Sequence, residues 1–307
     1  MKAAYIDHCG GPEVLHYGDL PDPVPGAGEV LVDIHAASVN AADWQVRAGR
    51  YGNLTHFPYV LGRDFSGVVG ALGAGVNEFR VGDAVFGVCD TGHDGAYAEK
   101  IAIKAAIVAR KPASLPHLHA AAVGLVGLTA LVSVEDTLKL KAGETILIQG
   151  GAGGVAGFAI QLARHIGARV ITTASAANAD YVRSLGADEV IDYRASDFTQ
   201  LVHDCDAVFD TVGGDVAKRS FAVLRPGGRA AFIASGMSAP PALRPDLTSL
   251  RPQVGRDRAH LERILSLLAS GAVRVPEITR FTLAQAADAH RLSESRHLRG
   301  KLVFVVR

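Results

Sequence analysis

Six consecutive residues, Gly151-Ala152-Gly153-Gly154-Val155-Ala156, constrain this chain more than any others. They fit the G-x-G-x-x-G/A pattern, follow the apolar run Thr145-Ile146-Leu147-Ile148, and open a helical stretch over residues 155–166. A second strand-like run, Arg169-Val170-Ile171-Thr172-Thr173, comes next at the spacing of a βαβ unit. Glycine permits the tight turn and lets backbone N–H groups approach an anion that the positive helix end favours. Together these features read as a dinucleotide pyrophosphate site. A strand-to-helix turn without a ligand is the plainer alternative, and the context argues against it.

The residues beyond this turn continue the alternation. Helices are expected at 177–185 and 216–224, and strands at 189–191, 207–210 and 229–233. Continuous apolar strands separated by helices indicate a parallel sheet covered on both faces. Residues 1–109 instead give short β runs broken by glycine and proline, such as Glu29-Val30-Leu31-Val32-Asp33-Ile34-His35 and Asp83-Ala84-Val85-Phe86-Gly87-Val88. Residues 118–140 form an apolar, alanine-rich helical stretch. Helices are expected again at 261–270 and 283–293, and the closing run Lys301-Leu302-Val303-Phe304-Val305-Val306 is a strand free to pair with the N-terminal β unit. The expected fold is α/β, a β-rich barrel-like domain joined to a doubly wound parallel sheet.

The end of the second strand distinguishes NAD from NADP, because an acidic residue there accepts the ribose hydroxyls. Here the loop reads Ala174-Ser175-Ala176-Ala177-Asn178, with no carboxylate before Asp180. A 2′-phosphate meets hydroxyl and amide donors there, with Arg194 the nearest candidate cation, so NADPH is the expected cofactor.

The 31 basic and 31 acidic residues balance, which leaves no excess field to hold a nucleic acid. No signal peptide is evident at the start, no apolar run is read as reaching the roughly 18 residues that span a bilayer, and a cytoplasmic location without a membrane partner is expected. Cys9, Cys89 and Cys205 are scattered and suggest neither disulfides nor a metal cluster.

Several further stretches, in order along nearly the whole chain, resemble the medium-chain dehydrogenase/reductase superfamily, in particular its zinc-independent quinone oxidoreductase (zeta-crystallin-like) branch. They include Ser38-Val39-Asn40-Ala41-Ala42-Asp43, Leu61-Gly62-Arg63-Asp64-Phe65-Ser66-Gly67, Gly95-Ala96-Tyr97-Ala98-Glu99, Gly127-Leu128-Thr129-Ala130, Leu185-Gly186-Ala187-Asp188, Phe209-Asp210-Thr211-Val212-Gly213-Gly214 and Gly300-Lys301-Leu302-Val303. The resemblance implies a GroES-like catalytic domain at 1–120 and 263–307 and a Rossmann NADPH-binding domain at 121–262. It implies that Gly153, Gly154 and Val155 approach the pyrophosphate, that Ser175, Asn178 and Tyr193 lie by the adenosine 2′-phosphate, that Asn40 and Thr129 flank the nicotinamide, and that Val212 and Ser235 also bind the cofactor. Many relatives carry lysine where Asn178 stands. By the same analogy the protein is expected to be a homodimer.

A zinc enzyme of this superfamily would carry a cysteine near Asn40 and a His-Glu pair after Gly62, where this chain has Arg63-Asp64. Catalytic zinc needs about three protein ligands, and neither His117 with His119 nor His8 with Cys9 supplies a set, so no metal is expected. The expected chemistry is hydride transfer from NADPH to a quinone or to the β-carbon of an α,β-unsaturated carbonyl, with donors for the developing oxyanion. Tyr51, together with Asn40, is the leading catalytic candidate; Arg47 and Arg63 rank behind it, and Asp43 is read as orienting the loop. The alternatives are an enoyl-thioester or other double-bond reductase on the same fold and, in another class, a protein that binds NADPH for a structural or regulatory purpose.

Overall fold

The computed structural model describes residues 1–51, 54–234 and 237–307, which separate into two compact units. One unit comprises residues 1–125, 255–266 and 277–307; the other comprises 126–254 and 267–276.

The second unit is built on six parallel strands: Thr145–Gln149, Arg169–Ala174, Glu189–Asp192, Cys205–Asp210, Leu224–Phe232 and Thr248–Leu250. Numbered by their order in the chain, they lie 3-2-1-4-5-6 across the sheet. That is the doubly wound dinucleotide-binding order, with the direction of winding reversing beside the first strand. The central strand is buried along Ile146, Leu147 and Ile148, as a run covered on both faces must be. The helix Gly154–Ile166 packs along this strand and its neighbour Arg169–Ala174. The helix expected at 216–224 begins earlier, at Gly214, and ends at Arg219, where a 3₁₀ turn Ser220–Val223 hands over to the fifth strand. Thr248–Leu250 is a strand that the sequence pattern did not reveal.

The first unit holds a seven-stranded sheet centred on the long strand Glu29–Val39, which pairs antiparallel with Asp64–Leu72 and Lys100–Lys104. A smaller three-stranded sheet contains Lys2–Ile6, Leu15–Asp19 and Tyr59–Val60. The closing strand Lys301–Val305 does pair with the N-terminal β unit, running antiparallel to Glu29–Val39 with Leu302 opposite Val39. Ile278–Thr282 then adds in parallel at its outer side. Ile34, Phe65, Val85, Tyr97, Leu302 and Phe304 are all buried in one apolar core, so residues from both ends of the chain form the same interior.

One expectation is corrected here. The helix His117–Leu131 continues through a π-helical turn, Val132–Thr137, and these 21 residues are long and apolar enough by composition to cross a membrane. The apolar window is 83% buried within the fold, which is what a core helix requires. Counting only uninterrupted apolar letters missed it because Thr129, Ser133, Glu135 and Asp136 interrupt the run.

Gly300 sets the entry of the closing strand. Its φ is +71°, and a Cβ there would be driven into the backbone carbonyl of Glu277. Gly300→Ala is therefore expected to cost roughly 2–4 kcal/mol, combining left-handed strain with a backbone clash. Urea unfolding of the purified variant reads this directly.

Candidate active site

In the nucleotide unit the glycine turn leaves the carboxyl end of the first strand. Gly150 has φ +78°, and its N–H donates to Thr173 Oγ1 at 3.1 Å. Gly151 N donates to the Thr173 carbonyl at 2.9 Å, and a Cβ on Gly151 would run into the Thr172 side chain. Gly151 is thus fixed by strand packing. At Gly153 the nearest atom to a built Cβ is the Gly150 carbonyl at 3.4 Å, an ordinary contact, so the bare backbone there serves the outer side of the turn. Gly154 and Val155 begin the helix, where first-turn N–H groups have no intrahelical acceptor.

Neighbouring strand ends bring other expected residues to this edge of the sheet. Thr211 Oγ1 donates to the Gln149 carbonyl at 2.8 Å, and a Cβ on Gly150 would touch Val212 at 3.1 Å. Val212, 40% exposed, therefore stands against the glycine turn. Ser175 follows the second strand, and its Oγ accepts from Asn178 Nδ2 at 3.3 Å. Tyr193 follows the adjacent third strand, its N–H directed to the Ala174 carbonyl at 3.4 Å and its ring 5.8 Å from the Arg194 guanidinium. Ser175, Asn178 and Tyr193 are thus gathered at one corner, with Asp180 paired to Arg183. Thr129 is buried on the His117–Leu131 helix. Ser235 lies outside the described residues.

A residue the sequence reading passed over as a strand end is Asp210. It is fully buried at the end of the fourth strand, where Gly213 N donates to Oδ1 at 2.7 Å while Oδ2 has no partner. Burial pushes its pKa up to about 6, against the pull of the Gly213 and Val212 N–H groups.

In the β-rich unit Asn40 is held on both sides. Lys301, fully buried on the closing strand, donates from Nζ to Asn40 Oδ1 at 2.7 Å and to the Val39 carbonyl at 2.8 Å. Asn40 Nδ2 donates to Asp64 Oδ1 at 2.8 Å, and Asp64 also accepts from Ser38 Oγ at 2.7 Å and from Leu125 N at 3.0 Å. The Asn40 amide is therefore committed to protein partners, and its influence passes through the loop it fixes. Burial draws the Lys301 pKa down while Asp64 and Asp43 hold it up.

The helix Ala41–Arg47 that follows has no apolar stripe because every residue from Ala42 to Arg47 is buried. Asp43 Oδ2 accepts from Asn40 N at 2.9 Å and from the Tyr97 hydroxyl at 2.7 Å, so it does orient the loop. Arg47 is an interior residue. It donates to the Gly10 carbonyl at 3.1 Å and to His290 Nδ1 at 3.2 Å, and pairs with Glu294. Since arginine only donates, His290 carries its proton on Nε2, which faces the Tyr97 hydroxyl at 3.3 Å. The resulting chain runs from Arg47 through His290 and Tyr97 to Asp43, with each member donating to the next.

Tyr51 and Arg63 do come together. The Arg63 guanidinium lies 4.9 Å from the centre of the Tyr51 ring, and both line a pocket of about 120 Å³ with Leu54, His56, Tyr59 and Asp94. Arg63 Nε is 3.3 Å from Asp94 Oδ1 and 3.8 Å from Asp43 Oδ1. Burial pushes the Asp43 carboxyl up to about 7 despite the opposing pull of Arg63.

These positions do not suit zinc. Where the zinc enzymes place a histidine there is a guanidinium, the oxygens of Asp64 are taken by three donors, and among the described residues no three His, Cys, Asp or Glu side chains could hold a metal. His117 instead meets Ser66 Oγ at 2.8 Å and stacks on His35 at 4.4 Å.

Comparison with known proteins now decides the family. Residues 26–113 match the alcohol dehydrogenase GroES-like domain and residues 185–304 the zinc-binding dehydrogenase family. A quinone oxidoreductase of Pseudomonas aeruginosa is 33% identical across 96% of this chain and 97% of its own length. The chain belongs to the medium-chain dehydrogenase/reductase superfamily of oxidoreductases. A chloroplastic NADPH-dependent alkenal/one oxidoreductase of Arabidopsis thaliana is 31% identical, covering 99% of this chain and 79% of that protein. The quinone oxidoreductase of Escherichia coli, solved in complex with NADPH, superposes over the whole of both chains with a TM-score of 0.92 at 28% identity. The chain also matches a Mycobacterium tuberculosis mycocerosic acid synthase-like polyketide synthase at 32% identity, spanning 96% of itself but 15% of that much longer protein.

The buried His290 gives a pH test. Its pKa falls from 6.5 to about 3, through burial first and then Arg47, so its contribution to stability is present above pH 6.5 and is lost as pH falls towards 3. Asp43, raised, acts in the opposite sense, and subtracting a variant isolates the histidine. The stability difference between wild type and His290→Gln should widen by roughly 1 kcal/mol per pH unit from pH 4 to 6.5 and then level off. Urea titrations across that range check it.

Proposed function

We propose that this protein reduces quinones or α,β-unsaturated carbonyl compounds with NADPH by hydride transfer, without zinc. The observation that carries this reading is the corner formed by Ser175, Asn178 and Tyr193, which presents a hydroxyl, an amide and a phenol on a sheet of dinucleotide-binding order, with no carboxylate before Asp180 in the loop. A 2′-phosphate finds donors there and Arg194 close by. The names of the full-length relatives, a quinone oxidoreductase and an NADPH-dependent alkenal/one oxidoreductase, support the same cofactor and acceptors.

Gly153, Gly154 and Val155 would carry the pyrophosphate, Val212 and Ser235 would add cofactor contacts, and Asn40 and Thr129 would flank the nicotinamide. Bound NADPH supplies the hydride. Tyr51 would donate a hydrogen bond to the oxygen that gains charge, from the pocket it lines with His56 and Tyr59. Arg63 holds the Tyr51 ring from beneath, so the phenol is presented from a fixed base. Asn40 acts by keeping the Ala41–Arg47 segment in place. We read the enzyme as a cytoplasmic homodimer joined through its nucleotide units.

A second reading, reduction of an enoyl thioester, is favoured by the polyketide synthase match. Steady-state NADPH oxidation with quinones, alkenals and enoyl thioesters separates the two.

Titration of intrinsic fluorescence should show NADPH binding at least about tenfold more tightly than NADH, an amount supplied by one or two donors to the 2′-phosphate. Equal affinities would remove the role of the Ser175–Asn178 corner. Tyr51→Phe is expected to lower kcat by about 10- to 100-fold with little change in NADPH affinity, the signature of a donor used in the transition state. Stopped-flow reduction of a quinone, with the cofactor titration run in parallel, measures both quantities.

A further inference from the structure

The loop that follows the strand Ala84–Val88 begins and ends on the same two residues. Cys89 N donates to the Arg63 carbonyl at 2.6 Å, and Gly95 N and Ala96 N donate to the Gly62 carbonyl at 3.0 and 3.1 Å. Gly62 has φ +96°, and a Cβ there would run into the Tyr97 ring, so only glycine lets the chain pass this close. Arg256 ties down the start of the loop as well, donating from Nε to the Cys89 carbonyl at 3.0 Å. Within the loop Asp90 pairs with the exposed Lys104, whereas Asp94 turns inward, its Oδ1 3.3 Å from Arg63 Nε.

The Asp94 side chain is 1% exposed and both of its oxygens are shut off from solvent, so no acceptor touches them. Its surroundings are protein: Arg63, and the Tyr59 hydroxyl that faces it. Burial raises the Asp94 pKa, and Arg63 is the foremost influence opposing that rise. Arg63 in turn stands between two carboxyls, because Asp43 Oδ1 lies 3.8 Å from the same Nε, farther than Asp94. The guanidinium also packs on Tyr51, 4.9 Å from the centre of the ring and within cation–π range. A long arginine side chain has many rotamers, and a carboxylate that fixes its planar head also fixes the face it offers to the ring. With the Asp94 charge gone, Asp43 is the remaining carboxyl on Nε, and the guanidinium is drawn towards it and off the ring.

We propose that Asp94 is a positioning residue for Tyr51: it holds the Arg63 guanidinium against the ring and so sets the phenol for the acceptor, without touching acceptor or cofactor. This rests on reading Tyr51 as the donor to the acceptor oxygen. A displacement of about 1 Å at a reacting group costs up to about 100-fold in rate. A buried carboxyl behind the guanidinium therefore governs kcat while leaving NADPH affinity alone.

A double-mutant cycle reads the link. Asp94→Asn, Tyr51→Phe and the double variant are compared with wild type as full chains, by steady-state NADPH oxidation with 1,4-benzoquinone and by fluorescence titration of NADPH. Asp94→Asn is expected to lower kcat about tenfold with NADPH affinity unchanged to within about twofold. The double variant is expected to match Tyr51→Phe to within about twofold, because the clamp has nothing to present once the hydroxyl is gone; damage unrelated to Tyr51 multiplies instead. Arg63→Lys keeps the charge but loses the flat face, should behave alike in the same cycle, and decides the matter where Asp94→Asn does not fold. In protein labelled with 3-fluorotyrosine, the ¹⁹F resonance that Tyr51→Phe removes should shift or broaden in Asp94→Asn. Where Tyr51→Phe slows turnover, an Asp94→Asn kcat within about twofold of wild type, or a double variant slower than Tyr51→Phe by the full Asp94 factor, overturns the proposal. An unmoved Tyr51 resonance in Asp94→Asn overturns it in every case. Turnover unchanged in Tyr51→Phe, together with a Tyr51 resonance that moves in Asp94→Asn, rejects the donor reading and keeps the clamp.

Discussion

The β-rich unit depends on an amide caught between two buried charges. Lys301 reaches Asn40 from one side, Asp64 from the other, and the ammonium and carboxylate are joined through the amide. Two ions out of water are costly unless every donor and acceptor is met, and here Ser38, Leu125 and the Val39 carbonyl take up the remainder. Such an arrangement is intolerant of partial loss, because removing one partner strands a charge that roughly 3–5 kcal/mol of packing must then offset. The loop bearing Asn40 and the helix bearing Asp43 inherit their positions from it.

A second chain of hydrogen bonds supports the same helix from its other end. Arg47, His290 and Tyr97 donate in one direction towards Asp43, whose Oδ2 takes two donors while Arg63 Nε stands 3.8 Å from Oδ1. The two networks share no side chain, yet both meet at residues 40–43 through the Asn40 N–H to Asp43 bond. Rigidity at this short segment comes from polar contacts, while the rest of the unit relies on the apolar core around Phe65, Tyr97 and Phe304.

The parts of this fold legible from the residues were those with local causes. The strand Thr145–Gln149, the glycine turn and the helix behind it announce themselves by apolar runs and backbone freedom, and the closing strand's return to the N-terminal sheet followed from its apolar character. Thr248–Leu250 and Ile278–Thr282 escaped because they lie at sheet edges and carry mixed, half-exposed side chains. The helix Ala41–Arg47 escaped because it is buried all round and has no period to read. In the candidate site, Asn40, Tyr51 and the Ser175–Asn178 corner were within reach of sequence and resemblance. Lys301 was not: it is 261 residues from Asn40, and a lone lysine opening a strand looks like a solvated end. Asp94 was likewise hidden by the general rule that charge lies outside, and Arg47, ranked among the catalytic candidates, is instead a buried residue hydrogen-bonded to Gly10 and His290.

The strand order of the β-rich unit has a consequence for how the protein is made. All six strands of the nucleotide unit lie between Thr145 and Leu250, so that sheet can assemble as soon as its last strand has left the ribosome. The β-rich unit needs Ile278–Thr282 and Lys301–Val305, which are synthesised later. Until then Asn40 and Asp64 have no ammonium to meet, and the edge of Glu29–Val39 that Lys301–Val305 will cover stands open. Translation thus completes the nucleotide sheet before the Asn40 loop is locked, and a chain cut before Lys301 would have its Rossmann sheet formed and an unpaired strand edge that invites aggregation.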